Sequence, residues 1–499
     1  MNAATTSRRF VLGATGIGLL ALSLCALLPI NPQGPFDARD NTRLPGMRLE
    51  TSASAAFIEP LAAPLRIVAG APDFRLATLS CLVWVICGAA LWRAGSDLRT
   101  QRPGSIRTRI LRAATTAGQA GGVLALWIAF GVTVRLPGWR LVVDDPHALI
   151  VDLHSHTYGS HDAFVSGPTN LAWHAAAGCN GVAITEHGDP AAAFATDLYA
   201  NTATGSSPAV IPGLELAVLT RGQHLLALGL QPDYQTPPGR MAQDFPARYM
   251  TYIHSAQHGA VIAMGYKLHP EDASVLADAG VDAFEFTNQG HPNVSNAVRK
   301  AMLEVAAKRG IPLVASSDWH GYGGILRTWT VIRTSAVAAT LSPQQKSMRV
   351  VEKLRERATA DIIPVVAGSI GPPSRIRAVF SPFAEVLRYA AELSLAQVLA
   401  WWVWAAILLG ITQLLGRVGL PARQVLPALL LGVLAGGLLW AGLALVAVNP
   451  NGLIASGFPR HIGTYTLLLG SLALIAGGWT GRCAWLERRR PAPAVTLQS

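Results

Sequence analysis

Twelve of the thirteen histidines lie between His147 and His320, a concentration that neither core packing nor a membrane requires. Imidazole is the commonest protein ligand for metals, so the spacing of these residues decides what they can do. Asp152-Leu153-His154-Ser155-His156-Thr157 ends an apolar run, and strand alternation turns both imidazoles to one side, two residues apart. That spacing can put two nitrogens on one ion. Further along, Ala183-Ile184-Thr185-Glu186-His187, Pro212-Gly213-Leu214-Glu215-Leu216, Gln223-His224-Leu225 and Ser316-Ser317-Asp318-Trp319-His320 each place a His or a carboxylate near a strand end. Imidazole and carboxylate together suit Zn, Mn or Fe in the +2 state. Two or three such cations a few ångströms apart lower the pKa of a bound water to about 7 and neutralise charge developing on a phosphoryl group.

The elements that must position these side chains alternate between short apolar runs and amphipathic stretches. Strands are expected at 148–153, 181–185, 210–216, 225–230, 260–264, 282–286, 311–315 and 328–333, with helices at 168–177, 246–257, 293–309 and 342–357. That alternation predicts a parallel α/β arrangement, and the number of units favours a barrel over an open sheet. Barrel enzymes build their sites where the strands end.

The order H-x-H, T-[DE]-H, G-x-E and S-D-x-H, each closing a strand, resembles the successive motifs of the PHP (polymerase and histidinol phosphatase) family of metal-dependent phosphoesterases, over roughly residues 148–360. The resemblance implies a distorted (β/α)7 TIM-like barrel carrying two or three divalent ions. Carried over position by position, it implies that His154, His156, Glu215 and Asp318 hold one ion, with Glu215 bridging to a second. His224 serves the second ion, and Asp162, His187 and His320 hold the third. Asp162 is preferred to its neighbour His161 on the spacing from His156. Where the family has a His-Pro pair directly after its middle strand, this chain reads Ala263-Met264-Gly265-Tyr266-Lys267-Leu268-His269-Pro270, so either His269 reaches the second ion from five residues further on or that ion is weakly held, and His269 is preferred. His187, His320 and Asp318 are the candidate catalytic groups, and Asp152 is a candidate acceptor for the outer N–H of a ligand histidine.

The chain around this region is too apolar for an ordinary soluble enzyme, with 51% apolar and 14% charged residues in 499. Uncharged runs about as long as a bilayer core is thick lie near Phe10 to Ile30, Leu76 to Trp92, Ala113 to Val134, Leu395 to Leu415, Val425 to Val448 and Ile462 to Trp479. This divides the chain into an N-terminal membrane region (1–135), a metallohydrolase domain (136–370), a linker (371–394) and a C-terminal membrane region (395–499), with about three spans on each side. Between Leu136 and Leu395 there are 19 Lys and Arg against 22 Asp and Glu, net −3, leaving 21 basic against 7 acidic elsewhere, net +14. The overall excess of +11 therefore reports membrane topology, and no nucleic-acid footprint is indicated. Arg8 and Arg9, the Arg93 to Arg112 loop, Arg417 with Arg423, and the Arg482 to Arg490 tail all fall on the cytoplasmic side if both termini are inside. The middle domain is then extracytoplasmic. Ser7-Arg8-Arg9-Phe10 also fits a twin-arginine export signal, but the apolar run continues to Ile30, and an uncleaved first span is expected. An Arg-to-Lys ratio of 35 to 5 and abundant alanine suggest a bacterial origin.

Other readings are plainer. His147, His174, His254, His258, His291 and His461 match no motif position and are expected to be surface or internally paired. Lys267, Arg299 and Lys300 are expected to be solvated, and Asn288 either lines the pocket or forms a turn. Trp401, Trp402 and Trp404 fit an interfacial belt. The expected substrate is a phosphorylated small molecule or a lipid-linked phosphate. Two alternatives are hydrolysis of a non-phosphate bond on a similar barrel and a sensor or assembly protein that has lost turnover.

Overall fold

The computed structural model describes residues 3–27, 34–69, 74–101, 104–136, 138–202, 207–218, 222–238, 242, 244–323, 325–368, 375–447 and 458–488. The Pro137 and Gly371–Pro373 boundaries, Arg102, Ile30, Val448 and Arg489–Arg490 lie outside these, and of Arg8, Arg9 and Arg423 only the backbone is described.

The chain opens with α1 (Ala3–Leu27), β1 (Phe36–Asp37), β2 (Met47–Thr51), α2 (Ala53–Phe57), α3 (Glu59–Ala69), α4 (Phe74–Arg99) and α5 (Ile106–Val134). The middle runs β3 (Trp139–Val143), β4 (Ala148–Ser155), α6 (Gly167–Ala176), β5 (Gly181–His187), α7 (Ala191–Thr202), β6 (Ala209–Val218) and β7 (Gln223–Leu228). It continues with α8 (Phe245–Ser255), β8 (Ala260–Met264), α9 (Asp272–Ala279), β9 (Ala283–Asn288), α10 (Asn296–Arg309), β10 (Leu313–Ser316), β11 (Thr328–Arg333), α11 (Pro343–Arg355) and β12 (Ile362–Val366). Helices α12 (Arg375–Glu392), α13 (Leu395–Arg417), α14 (Ala422–Val446) and α15 (Phe458–Arg488) complete it.

Ten strands form one curled sheet in the order β1-β12-β11-β4-β5-β6-β7-β8-β9-β10. Strands β4, β5 and β6 run parallel, as do β8, β9 and β10. The sheet is nevertheless mixed, which departs from the parallel barrel expected of the alternation. Only four residues separate β6 from β7 in the sequence, too few for the crossover a parallel neighbour needs, so β7 lies antiparallel to both its neighbours. Strand β11 returns antiparallel between β4 and β12. The far strand β10 reaches β11 through threonines: Thr330 Oγ1 donates to Ala315 O and accepts from Ala315 N, and Thr328 Oγ1 donates to Ser316 O. That contact curls the sheet and gathers the ends of its strands.

All eight expected strands are present, and β12 is an addition to them. So is β1, from the segment between the first two apolar helices, which pairs with β12 at Phe36↔Val366 and Asp37↔Val365. Strand β2 pairs with β3. The middle unit therefore draws on residues before 136. Leu149, Val151, Leu153, Ala183, Ile211 and Val314 form an inner core with no exposure above 1%, while a second apolar layer lies between the sheet and α8, α9 and α10.

Five described helices are long and apolar enough to cross a membrane: α4, α5, α13, and the stretches Gln424–Val446 and Phe458–Cys483. In α1 the apolar part among the described residues is Thr15–Leu27, which is shorter. The helices and the sheet touch directly. Gly323 N donates to Val132 O at the end of α5, and Arg327 Nη1 donates to Ala69 O of α3 while its Nε and Nη2 hold Ala367 O after β12.

Candidate metal centre

The ends of β4, β5, β6, β9 and the segment after β10 converge on one buried group of side chains. His154 and His156 leave β4 on the same side, and their Nε2 atoms lie 3.0 Å apart. Glu215 from β6 places Oε2 3.1 Å from His154 Nε2 and 3.4 Å from His156 Nε2. Asp318 places Oδ1 3.2 Å from both. With all their separations within 4.8 Å, a point equidistant from these four atoms lies roughly 2.0–2.4 Å from each, near the length of a bond from zinc to nitrogen or oxygen. All four residues are buried.

The protonation pattern also fits a metal. Glu285 Oε1 lies 2.8 Å from His154 Nδ1, and Ser160 Oγ lies 2.9 Å from His156 Nδ1 while donating to Glu186 Oε2 at 2.6 Å. Each imidazole so held carries its hydrogen on Nδ1 and turns the Nε2 lone pair inward. With the hydrogens of His154 and His156 on Nδ1, the buried Asp318 Oδ1 receives no hydrogen bond. Two facing imidazole lone pairs beside that oxygen form a donor set for a cation.

Without a cation, protons must do that work. Burial alone would lower the His154 and His156 pKa values, yet the charges of Asp318 and Glu285 raise His154 well above its usual range, and bonds to Asp318 and Glu215 push His156 up to about 9. Burial would conversely raise the carboxylates, but His154 and His156 hold Asp318 and Glu215 far below the usual range. The four groups thus form a compensated cluster whose protons a divalent ion would replace.

A second set adjoins the first. Asp162 Oδ1 lies 3.4 Å from His187 Nε2 and 3.3 Å from His320 Nε2. The His156 ring stacks on those of His187 and His320 at 4.5 and 4.1 Å, and His187 Nδ1 is 3.5 Å from Glu215 Oε2. His320 Nδ1 faces Asp318 O at 2.8 Å, leaving Nε2 to Asp162. His161, weighed against Asp162 on sequence, groups with Asp162 and His187 at the exposed rim. The other oxygen of Glu215, Oε1, meets His224 Nδ1. One carboxylate therefore faces two places, as a bridging ligand must.

His269 is not brought to this cluster. It is exposed, and its backbone N–H caps onto Asp272 Oδ2. The 3-10 turn Gly265–Lys267 directs the chain away from the site before His269 is reached. The half-buried Tyr266 stands nearer: burial and then the charges of Glu215, Asp318, Glu285 and Asp162 raise its phenol well above the usual range. Tyr266 stacks on His291 at 4.1 Å, and His291 Nε2 is 3.6 Å from Asp318 Oδ2, so His291, exposed as expected of a surface histidine, stands at the edge of the site. Asp152 does not take the role expected of it. Its carboxylate accepts from His154 N and Ser317 N and pairs with His174 Nε2 at 2.9 Å, fixing the backbone between β4 and the Asp318 segment. Glu285 on β9 orients the ligand instead, itself held by Ser316 Oγ and by Asn288 Nδ2 at 3.0 Å. Asn288 lines the pocket, also reaching Asp318 Oδ2 at 3.3 Å. Asp318 adopts φ 55, a left-handed backbone that is uncommon for a non-glycine residue and is held here by Asp318 N–H donating to His154 O at 2.8 Å.

No family model matches the chain, and no curated protein matches it. Solved structures similar to it include a candidate metal-dependent phosphoesterase from Bifidobacterium adolescentis, at 15% identity over 41% of this chain and 96% of that one, with a TM-score of 0.28. An amidohydrolase from Chromobacterium violaceum, solved with sulfate and no metal, aligns at 14% identity over 35% of this chain and 89% of its own, with a TM-score of 0.27. PsfC from Pseudomonas syringae aligns at 12% over 50% of this chain and 100% of its own, with a TM-score of 0.32. At these values the likeness carries no argument, and the functional reading rests on the geometry. By that geometry the site is a candidate divalent-metal centre on a mixed α/β scaffold joined to apolar helices.

Proposed function

We propose that the chain is a membrane-anchored, metal-dependent phosphoesterase with a two- or three-ion centre of Mn, Zn or Fe, facing the extracytoplasmic side. The observation that carries this reading is the spacing of His154 Nε2, His156 Nε2, Glu215 Oε2 and Asp318 Oδ1, which suits one ion. Asp162, His187 and His320 would hold a further ion, and His224 with Glu215 Oε1 would take part in another. When bound, such ions acidify water and neutralise charge on a phosphoryl group.

The protein's own residues supply the rest. Glu285 and Ser160 fix the ligand tautomers. His187 stands at the rim of the cluster, its pKa lowered by burial, with Nε2 3.4 Å from Asp162 Oδ1 and Nδ1 3.5 Å from Glu215 Oε2; in a two-ion centre that leaves its ring free, it is placed to exchange a proton with the substrate. Lys267 Nζ sits 5.2 Å from the Tyr266 ring centroid, giving the mouth a cation to meet an anionic ester. The basic clusters at Arg93–Arg99, Arg107–Arg112 and Arg482, at the ends of α4, α5 and α15 opposite those that meet the sheet, support this orientation.

The test uses the full-length chain in detergent, stripped with chelator and resupplied with Mn, Zn or Fe(II), against phosphate mono- and diesters. Metal-dependent hydrolysis is expected, falling about a thousandfold or more in His156→Ala and Asp318→Ala. Absence of cleavage with every metal, or full activity in His156→Ala, refutes the reading.

A further inference from the structure

A groove of about 420 Å³ opens where α4, α5 and α15 meet the barrel. Phe74 and Leu82 of α4, Ile128 and Val132 of α5, and Ile462 and Leu469 of α15 supply apolar walls. Its volume falls within the roughly 300–1,000 Å³ of small-molecule sites. Two further lining residues come from the barrel, and their positions are informative. Phe164 follows Asp162 by two residues, and Tyr322 follows His320 by two.

The groove and the metal centre therefore share a wall. The Tyr322 ring stacks on His320 at 5.9 Å and on Phe164 at 5.9 Å, and Phe164 N donates to His320 O at 3.0 Å. Gly323 N donates to Val132 O, seating the same loop on α5. The lining is apolar apart from the hydroxyl-bearing Thr78, Thr133, Tyr465 and Thr466 on the helices and Tyr322 at the end that meets the sheet. A hydrocarbon occupant of this cleft would have one end against Phe164 and Tyr322, each two residues from a metal-ligating side chain.

We infer that this groove seats the chain of the substrate, which is a phosphate ester of a long-chain lipid alcohol whose phosphate sits at the His154–Asp318 cluster. The inference rests on the phosphoesterase reading and names its substrate class. In the reaction water forms a new bond to phosphorus, the ester P–O bond breaks, and the lipid alcohol leaves with a proton while inorganic or monoester phosphate is released. Recognition of the chain by the helices and of the phosphate by the cluster explains why spans and barrel are docked through the loop that carries His320.

Two measurements on the full-length protein in detergent test this. In the first, hexadecyl phosphate carrying a diazirine in its chain is photo-crosslinked to metal-free protein and the adducts are mapped. Adducts are expected on 125–133 and 458–469, displaced by unlabelled hexadecyl phosphate and lost in Ala125→Phe and Ala129→Phe, substitutions at two residues of α5 that line the groove and would fill it. In the second, kcat/KM for hexadecyl phosphate is expected to exceed that for ethyl phosphate at least tenfold at submicellar concentration, and the two Phe variants should lower the former without altering the latter. Adducts spread evenly over all apolar helices, or rates independent of chain length and of Ala125→Phe, overturn the inference. Adducts confined to the groove with no ester hydrolysed sink the phosphoesterase reading while leaving the groove as a chain-binding site.

Discussion

Glu285→Gln isolates the part of the centre that the ligand motifs do not contain. Glu285 is fully buried, with Oε1 2.8 Å from His154 Nδ1 and Oε2 3.0 Å from Asn288 Nδ2. Glutamine keeps the shape and removes the charge. Its amide nitrogen must face either Asn288 Nδ2, which is also a donor, or the His154 N–H and Ser316 hydroxyl, which donate to Oε1. Reversal of Asn288 would relieve the first conflict but turn its Oδ1 toward Asp318 Oδ2 and its Nδ2 toward the His291 N–H, so the unfolding midpoint of the variant is measured before affinities are compared. The loss is then in the basicity of His154 Nε2, because the carboxylate no longer supports positive charge building on the ring when it binds a cation. Loss of such a partner costs about 10- to 100-fold in metal affinity, or roughly 1.4–2.7 kcal/mol. Competitive titration of full-length protein with Zn or Mn against a chelator of known affinity at pH 7.5 measures this directly. An affinity within twofold of wild type, with the fold intact, would show that His154 is not a ligand or that Glu285 does not orient it.

Two further outcomes follow from the same geometry. In chelator-treated protein the raised His154 and His156 pKa values stabilise the fold fully below the unfolded histidine value near 6.5; for His156 this amounts to about 3 kcal/mol and is lost as pH rises through about 9. The depressed carboxylates act oppositely, contributing above their unfolded values near 4 and losing that contribution at lower pH. Thermal unfolding should therefore show a fall in Tm of several degrees between pH 6.5 and 9.5 without metal that bound Mn or Zn abolishes; parallel profiles with and without metal would contradict the site. Separately, Arg327→Met removes donors from Ala69 O and Ala367 O and should destabilise the detergent-solubilised protein by about 2–5 kcal/mol. An unchanged unfolding midpoint would show that this link between helices and sheet is incidental.

Much of the site could be read from the chain because its ligands are short local patterns at the ends of strands with strong apolar signatures. His154 and His156 alternate on one strand, and Glu215 interrupts an apolar run, so period and polarity coincide. Glu285 carried a signal of its own: a lone carboxylate between Phe284 and Phe286 in a buried strand must have a partner. Its partner is 131 residues away in sequence, and no local pattern names it. His291 and Tyr266 lie after strands, on segments whose direction depends on turns. His269 shows the same weakness in reverse, since proximity in sequence to the middle strand did not survive the 3-10 turn that follows it. Strand β1, two residues long, has too little pattern to announce itself, and the β6–β7 hairpin set a strand direction that helix-strand alternation alone could not supply.

The pairing of β1 with β12 bears on how the protein is made. Phe36 finds Val366 only after the 329 residues between them have been synthesised, among them two helices fit to cross a bilayer. Until then β12's neighbour must remain on the same side as the growing sheet, with its backbone groups served by water, and closure of so long a loop is slow. Release of the middle region by cleavage near residue 136 would leave it without its first strand and with the rim of β12 uncovered, a surface prone to pair with other chains.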